Sequence, residues 1–184
     1  AERTGLTEEE IKTAFDEMLD YCLGGEEFST GVLKWSESGR DHFTDVRVLF
    51  KLDLNILACT MGLLAAMAIF IYRGRHQPAL LLGRGPAFWG GAGLGAVFLA
   101  VGALAATDFD RAFVAFHAIF FPGKDNWLFD PAQDQIINIL PQAFFRNCAI
   151  LILGLLAAGC AAFIAFDLTR KKGRETRHSK LQKT

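Results

Sequence analysis

Three stretches without a single charged side chain dominate the 184-residue chain: Leu54 to Tyr72, Ala87 to Thr107 and Asn147 to Phe166, of 19, 21 and 20 residues. At a rise of about 1.5 Å per residue, a helix over each reaches about 30 Å, the thickness of a bilayer's hydrocarbon core. A soluble domain could bury one such helix. With 52% of residues hydrophobic and 21% charged, too few polar side chains remain to wrap three. The expectation is an all-α fold: a polytopic membrane helical bundle with transmembrane helices over 54–72, 87–107 and 147–166.

The charged residues lie between these spans and are segregated by sign. Residues 1–53 carry 6 basic and 13 acidic side chains, and residues 108–146 carry 3 and 5. The loop 73–86 has Arg73, Arg75 and Arg84 with no acid, and the tail 167–184 has 7 basic and 2 acidic residues. Because Lys and Arg in short loops stay on the cytoplasmic side, the basic loop and tail are assigned inside and the two acidic segments outside. Translocating residues 1–53 calls for an upstream signal peptide or a further, first transmembrane helix. The formal net charge of −1 also excludes a nucleic-acid binder that relies on overall positive charge.

Both outer segments read as structured, forming an extracytoplasmic helical cap. Thr7-Glu8-Glu9-Glu10 has capping-box spacing, and Ile11, Ala14, Phe15, Met18 and Leu19 recur at helical intervals before Gly24-Gly25. Ser38-Gly39-Arg40-Asp41 offers a second start, from which residues 42–72 read as one helix rising out of the membrane. In the second segment Phe109, Phe113, Phe116 and Phe120 form a stripe halted by Pro122-Gly123. Asp130-Pro131-Ala132-Gln133 then reads as the N-cap of a short helix carrying Ile136, Ile137 and Leu140, and Pro141 starts the last span. Trp127, Phe129, Phe144 and Phe145 stand where an interfacial aromatic belt would lie.

Reactive chemistry is sparse. Cys22, Cys59, Cys148 and Cys160 lack CxxC spacing and read as small core residues rather than a disulfide framework or zinc site. No GxSxG, HExxH or P-loop pattern occurs. Gly91 and Gly95 form a GxxxG suited to close helix packing. His76 and His178 fall in the basic cytoplasmic segments as solvated residues. His42 and His117 both fall on the outer side near a helix-membrane boundary, and Asp45 follows His42 by three residues on one helical face, where a carboxylate can hold an imidazole in one tautomer. A structural role for each histidine, bonding a backbone carbonyl, stays open beside a catalytic one.

The runs Trp35-Ser36-Glu37-Ser38-Gly39, His42-Phe43-Thr44-Asp45-Val46-Arg47 with Leu49-Phe50, Phe116-His117 with Phe120-Phe121, Trp127-Leu128-Phe129-Asp130-Pro131 and Leu140-Pro141-Gln142-Ala143-Phe144-Phe145 resemble a family of small bacterial integral membrane proteins. That family includes the lipoprotein intramolecular transacylases of Gram-positive bacteria. The resemblance covers roughly residues 15–166. It implies four membrane helices, so that the element upstream of Ala1 would be the first. It also implies a multi-pass protein of the bacterial cell membrane whose catalytic face is extracytoplasmic.

The activity implied is transfer of the sn-2 acyl chain of a diacylglyceryl-cysteine lipoprotein to that cysteine's own α-amino group, giving a lyso-form lipoprotein. By motif, the family's two essential histidines match His42 and His117. Asp45, Asp41, Trp35, Trp127 and Asp130 are the supporting candidates. The implied partners are a diacylglyceryl-modified lipoprotein substrate and membrane lipid, with no metal and no other cofactor. Nucleophile and ester share one molecule, so no acyl-enzyme is needed. One imidazole can act as base and then acid, while the second polarises the carbonyl or holds the first in place. Two rival readings remain: a non-catalytic membrane scaffold or subunit, and a metal-dependent membrane hydrolase with His42, His117 and an outer acid as ligands.

Overall fold

The first helix, α1 (Glu8–Leu23), begins where the capping box places it. Thr7 Oγ1 accepts from the Glu10 amide, and the Glu10 carboxylate accepts from the Thr7 amide at 2.8 Å. In a computed structural model that describes residues 5–74 and 79–181, with backbone only at residue 74 and over 171–181, every helix or strand assigned among the described residues is helical. Four further α-helices follow: α2 (Glu37–Gly74), α3 (Pro86–Thr107), α4 (Phe109–Phe120) and α5 (Gln142–Leu181). A 3-10 turn spans Gln135–Asn138.

Two corrections to the sequence reading concern where helices start. Ser36, not the Ser38 to Asp41 run, begins α2: its Oγ accepts from the Gly39 amide at 3.0 Å and its carbonyl oxygen from the Arg40 amide. No α-helix opens at Asp130. Its carboxylate instead caps a tight turn through the Ala132 amide at 2.9 Å, and only the 3-10 turn follows. Asp108 caps α4 as its position suggests, accepting from the Arg111 amide at 3.0 Å.

α2, α3 and α5 are long and apolar enough to cross a membrane, and their apolar windows are 0, 6 and 6% buried within the protein. Such surfaces need a solvent as apolar as themselves. At about 1.5 Å per residue, the 38 residues of α2 extend about 57 Å, roughly twice the hydrocarbon thickness. Only its uncharged part, 54–72, is read as crossing, and His42 lies several turns before it.

The chain divides into two units, residues 1–70 with 113–145 and residues 71–112 with 146–184. The first holds a small core of Ala14, Met18, Tyr21, Cys22, Leu33, Phe43, Ile136 and Leu140, so the apolar stripe of α1 is buried by α2 and the 3-10 segment. Arg47 closes α1, donating to the carbonyls of Gly24 (3.0 Å) and Gly25 (2.8 Å) beneath the Tyr21 ring. Phe144 and Phe145 pack on Phe15 and Phe113 inside this unit rather than forming a lipid-facing belt.

The carboxylate of Asp134, 5% exposed, latches the second outer segment to the start of α2. It accepts from the Ser36 amide at 2.8 Å and from Ser36 Oγ at 2.9 Å. Gln135 adds a reciprocal pair with the Lys34 backbone. Gly39 lies directly under this latch: a Cβ there would stand 2.1 Å from Asp134 Oδ1.

In the second unit α3 and α5 approach closely along the glycine face. A Cβ on Gly91 would meet the Cys160 carbonyl oxygen at 2.8 Å, and one on Gly95 the Cys160 Cβ at 3.5 Å, which is the packing that GxxxG spacing predicts. Asp167 accepts from the Gly85 amide at 2.9 Å, tying α5 to the start of α3. Of the cysteines, Cys22 and Cys160 are buried, whereas Cys148 is half-buried and Cys59 exposed on α2. The core reading therefore holds for two of the four. His76 lies outside the described residues, as does the side chain of His178.

Candidate active site

α2 delivers His42 from its second turn and α4 delivers His117 from its last, and the two imidazoles stack with centroids 5.8 Å apart and planes at 28°. Each residue is 6% exposed. Aromatic rings enclose them. Phe121 and Phe129 meet His42 edge-on at 5.0 and 5.3 Å, while Trp127 stacks on His117 at 4.4 Å and Phe113 lies 4.3 Å from it. The helical spacing of Phe113, Phe116 and Phe120 thus splits in use. Phe113 walls the histidine, and Phe116 and Phe120 are exposed.

Polar contacts with the pair are few. His117 Nδ1 lies 2.7 Å from the Phe113 carbonyl oxygen. A carbonyl only accepts, so Nδ1 carries the hydrogen and the lone pair of the neutral ring sits on Nε2. His42 Nδ1 is buried with no hydrogen-bond partner. Burial pushes the His42 imidazole down to about 4, with the neighbouring His117 adding to the effect and Asn126 and Asp45 opposing it. Burial lowers His117 as well, opposed by its bond to the Phe113 carbonyl. Both shifts favour the neutral ring.

Asp45 does not hold an imidazole directly. Its carboxylate pairs with Lys124 Nζ and accepts from Asn126 Nδ2 at 3.0 Å. Burial acts to raise this carboxyl, but those two hydrogen bonds and the Lys124 charge outweigh it and hold it below the usual range. Beside it opens a cleft of about 430 Å³ lined by Asp41, Thr44, Lys124, Asp125 and Asn126. Asp41 itself is exposed and pairs with Arg40 at 3.3 Å.

Trp127 donates its indole N–H to the Lys124 carbonyl at 3.1 Å, which fixes the ring that stacks on His117. Trp35 packs edge-on against Phe28, which stacks on Phe43 beside His42. It is therefore two rings removed from the imidazole. Asp130 caps its own turn, accepting from the Ala132 amide and the Gln133 side chain. Among the described residues no three His, Cys, Asp or Glu side chains converge as a metal-holding group.

The family model of the lipoprotein intramolecular transacylase Lit matches residues 1–145, a span that contains both histidines and all of the supporting residues. The chain belongs to the Lit family. It is an acyltransferase of that family and a multi-pass membrane protein. Among solved structures it is similar to the membrane-integral Lit from Bacillus cereus, with 25% identity and a TM-score of 0.77 over 96% of this chain and 79% of that one. A variant of the Bacillus cereus protein with one histidine replaced by arginine shares the fold, at 24% identity and a TM-score of 0.73 over 97% of this chain and 76% of that one. A second variant, with alanine in place of histidine, matches at 26% identity and 0.65 over 93% and 76%. No curated protein sequence matches significantly.

Lys124 and Asn126 are absent from the sequence-derived candidates. Their only signal is position, in the polar run Gly123 to Asn126 that directly follows the phenylalanine stripe. Asp134 is likewise visible only as a loop acid, because its partner Ser36 is 98 residues away.

Proposed function

We propose that this Lit family member transfers the sn-2 acyl chain of a diacylglyceryl-cysteine lipoprotein to the α-amino group of the same cysteine, at the extracytoplasmic face of a bacterial cell membrane. The face follows from the basic loop 73–86 and basic tail, which mark the cytoplasmic side. The observation that carries the chemistry is the stacked, buried pair of imidazoles of His42 and His117.

Proton accounting explains why two imidazoles suit the reaction. At pH 7 much of the amine arrives as an ammonium, since an α-amino group has a pKa of about 8. One imidazole takes that first proton. The nitrogen lone pair then attacks the ester carbonyl carbon, forming the C–N bond and a tetrahedral adduct. The adduct nitrogen, now positively charged, gives its second proton to the other imidazole. That ring returns it to the glyceryl oxygen as the C–O bond breaks, leaving an amide and a free sn-2 hydroxyl. The first proton departs to solvent.

His117 is suited to the first role, because its Nδ1–H bond to Phe113 stabilises the imidazolium, and His42 to the shuttle. Transfer within one molecule supplies effective molarities on the order of 10⁵ M or more, and acid-base transfer roughly 10² to 10⁴-fold. The aromatic enclosure favours aminolysis over hydrolysis by keeping water from the adduct.

Mass spectrometry of a reporter lipopeptide co-expressed with the full-length protein tests this reading. The parent is expected to yield the N-acyl lyso-form, and His42→Ala and His117→Ala each to lose at least about 100-fold while remaining in the membrane. A double variant that makes the lyso-form at the parental rate would refute it.

A further inference from the structure

We propose that Asn126 is a positioning residue whose amide, locked by Asp45, holds His42 in the Nδ1–H tautomer and so leaves the proton-accepting lone pair on Nε2. The inference rests on the acid-base reading of His42 given above and deepens it.

The argument starts at Asp45. An ionised carboxylate only accepts, so the atom of Asn126 that meets Asp45 Oδ2 at 3.0 Å must be the NH₂ nitrogen. Lys124, paired with the other carboxylate oxygen, keeps that acceptor charged and in place. The orientation of the amide is thereby fixed, and Asn126 Oδ1 is turned away from Asp45.

Oδ1 is buried and has no partner. Among the described residues the other buried side-chain polar atoms without one are His42 Nδ1 and Arg47 Nε. Arg47 is engaged elsewhere, over Tyr21 and on the end of α1. Asn126 is bonded to Asp45, one turn from His42 on α2, and the same loop brings Trp127 onto His117 and Phe129 onto His42. The amide therefore lies beside the imidazole and favours its charged form, with no hydrogen bond closed between them. Oδ1 has lone pairs and no hydrogen, whereas Nδ1 can carry either. A bond between the two would satisfy both atoms only in the Nδ1–H tautomer.

The resulting chain runs from Lys124 through Asp45 and Asn126 to His42, with a carboxylate acting on the imidazole at one remove. The titratable or charged groups facing His42 are His117 from α4, Asp45 from its own helix and Lys124 from the loop. The ring of His42 is stacked against that of His117, so fixing its tautomer also fixes which edge is free to take a proton.

The test is ¹⁵N-histidine NMR of the full chain in lipid bicelles, with His42 assigned by its loss in His42→Gln, together with the pH profile of lyso-form production. The parent is expected to show a protonated Nδ1 and a bare Nε2 at pH 7. In Asn126→Ala the Nδ1–H tautomer should lose its dominance. Turnover should fall about 10-fold, part of the roughly 10² to 10⁴-fold that acid-base transfer is worth, with KM little changed. The acid limb of the profile should move to lower pH, because the bond that favoured the charged ring is gone.

The His117 Nδ1–H signal, held by Phe113, reports in each variant that the site is folded. A parental Nε2–H tautomer, or an Asn126→Ala protein with unchanged tautomer and pH profile, would overturn the proposal. Full activity in His42→Ala would instead overturn the acid-base reading while leaving the tautomer assignment standing.

Discussion

Gly39→Ala is expected to destabilise the first unit through a single buried carboxylate. The added Cβ would lie 2.1 Å from Asp134 Oδ1 and 2.8 Å from its Cγ, well inside ordinary contact distance. The helix backbone under Gly39 is fixed by its own hydrogen bonds, so the carboxylate has to move. A free side chain would do so cheaply, but Asp134 is 5% exposed and accepts from both the amide and the hydroxyl of Ser36. Hydrogen bonds to a charged group contribute about 1.5 to 3 kcal/mol each. Alanine's better helix propensity returns about 1 kcal/mol. Losing one such bond and straining the other leaves a net loss of roughly 2 kcal/mol. Denaturant unfolding in mixed micelles, followed by tryptophan fluorescence, measures it. In the background of Asp134→Ala the obstacle is gone, so adding Gly39→Ala should cost nothing or stabilise slightly. Strictly additive losses in the double variant would refute the latch, because contacting residues are expected to couple by about 0.5 to 3 kcal/mol.

Acid sensitivity should carry a His42 signature. The imidazole charges near 6.5 in the unfolded chain but only near about 4 when folded, so between these values the unfolded state binds more protons. Stability is therefore full above about pH 6.5 and falls by up to about 3 kcal/mol toward pH 4, at about 1.4 kcal/mol for each pH unit. His42→Gln should flatten this part of the unfolding-versus-pH curve, and an equally steep curve would count against the burial argument. In the second unit, Gly91→Ala places a Cβ 2.8 Å from the Cys160 carbonyl oxygen, whereas Gly90→Ala meets open space. The first should lower unfolding free energy by roughly 1 to 3 kcal/mol and the second should not, with equal effects arguing against close α3–α5 packing.

The three membrane-length apolar helices were legible because bilayer thickness and helix rise are fixed lengths, and the chain meets them with uncharged runs of 19 to 21 residues. The capping box at Thr7 and the glycine face of α3 were legible for a related reason: each is a local pattern whose partners lie within a few residues or on one helical face. The start of α2 was misplaced because Ser36 and Ser38 are equally good caps by composition. The choice between them is made by Asp134, a residue that no local window contains. The short helix expected after Asp130 fails for the same reason. Asp134 to Asn138 is pulled into a 3-10 turn while its side chains and backbone bond to Lys34 and Ser36, and those tertiary bonds replace the ones an α-helix would make.

The same division runs through the candidate site. His42 and His117 stand out in sequence because imidazoles are scarce there and topology puts two on one side, and the fold stacks their rings. Asp45 is visible as the acid three residues after His42, yet helical proximity does not decide whom a carboxylate bonds. A cation and an amide presented by the loop after α4 compete for it, and a charged ammonium paired with a carboxylate is the stronger partner. Lys124 takes one oxygen and Asn126 the other, which leaves His42 Nδ1 without a direct carboxylate to offset the burial that lowers its basicity. A full Asp-His pair would favour the charged ring and slow its release of a proton. An amide between them gives orientation without that charge. In the proposed shuttle, where the ring takes a proton from one atom and returns it to another within the same turnover, weak basicity with a fixed tautomer is the more useful combination.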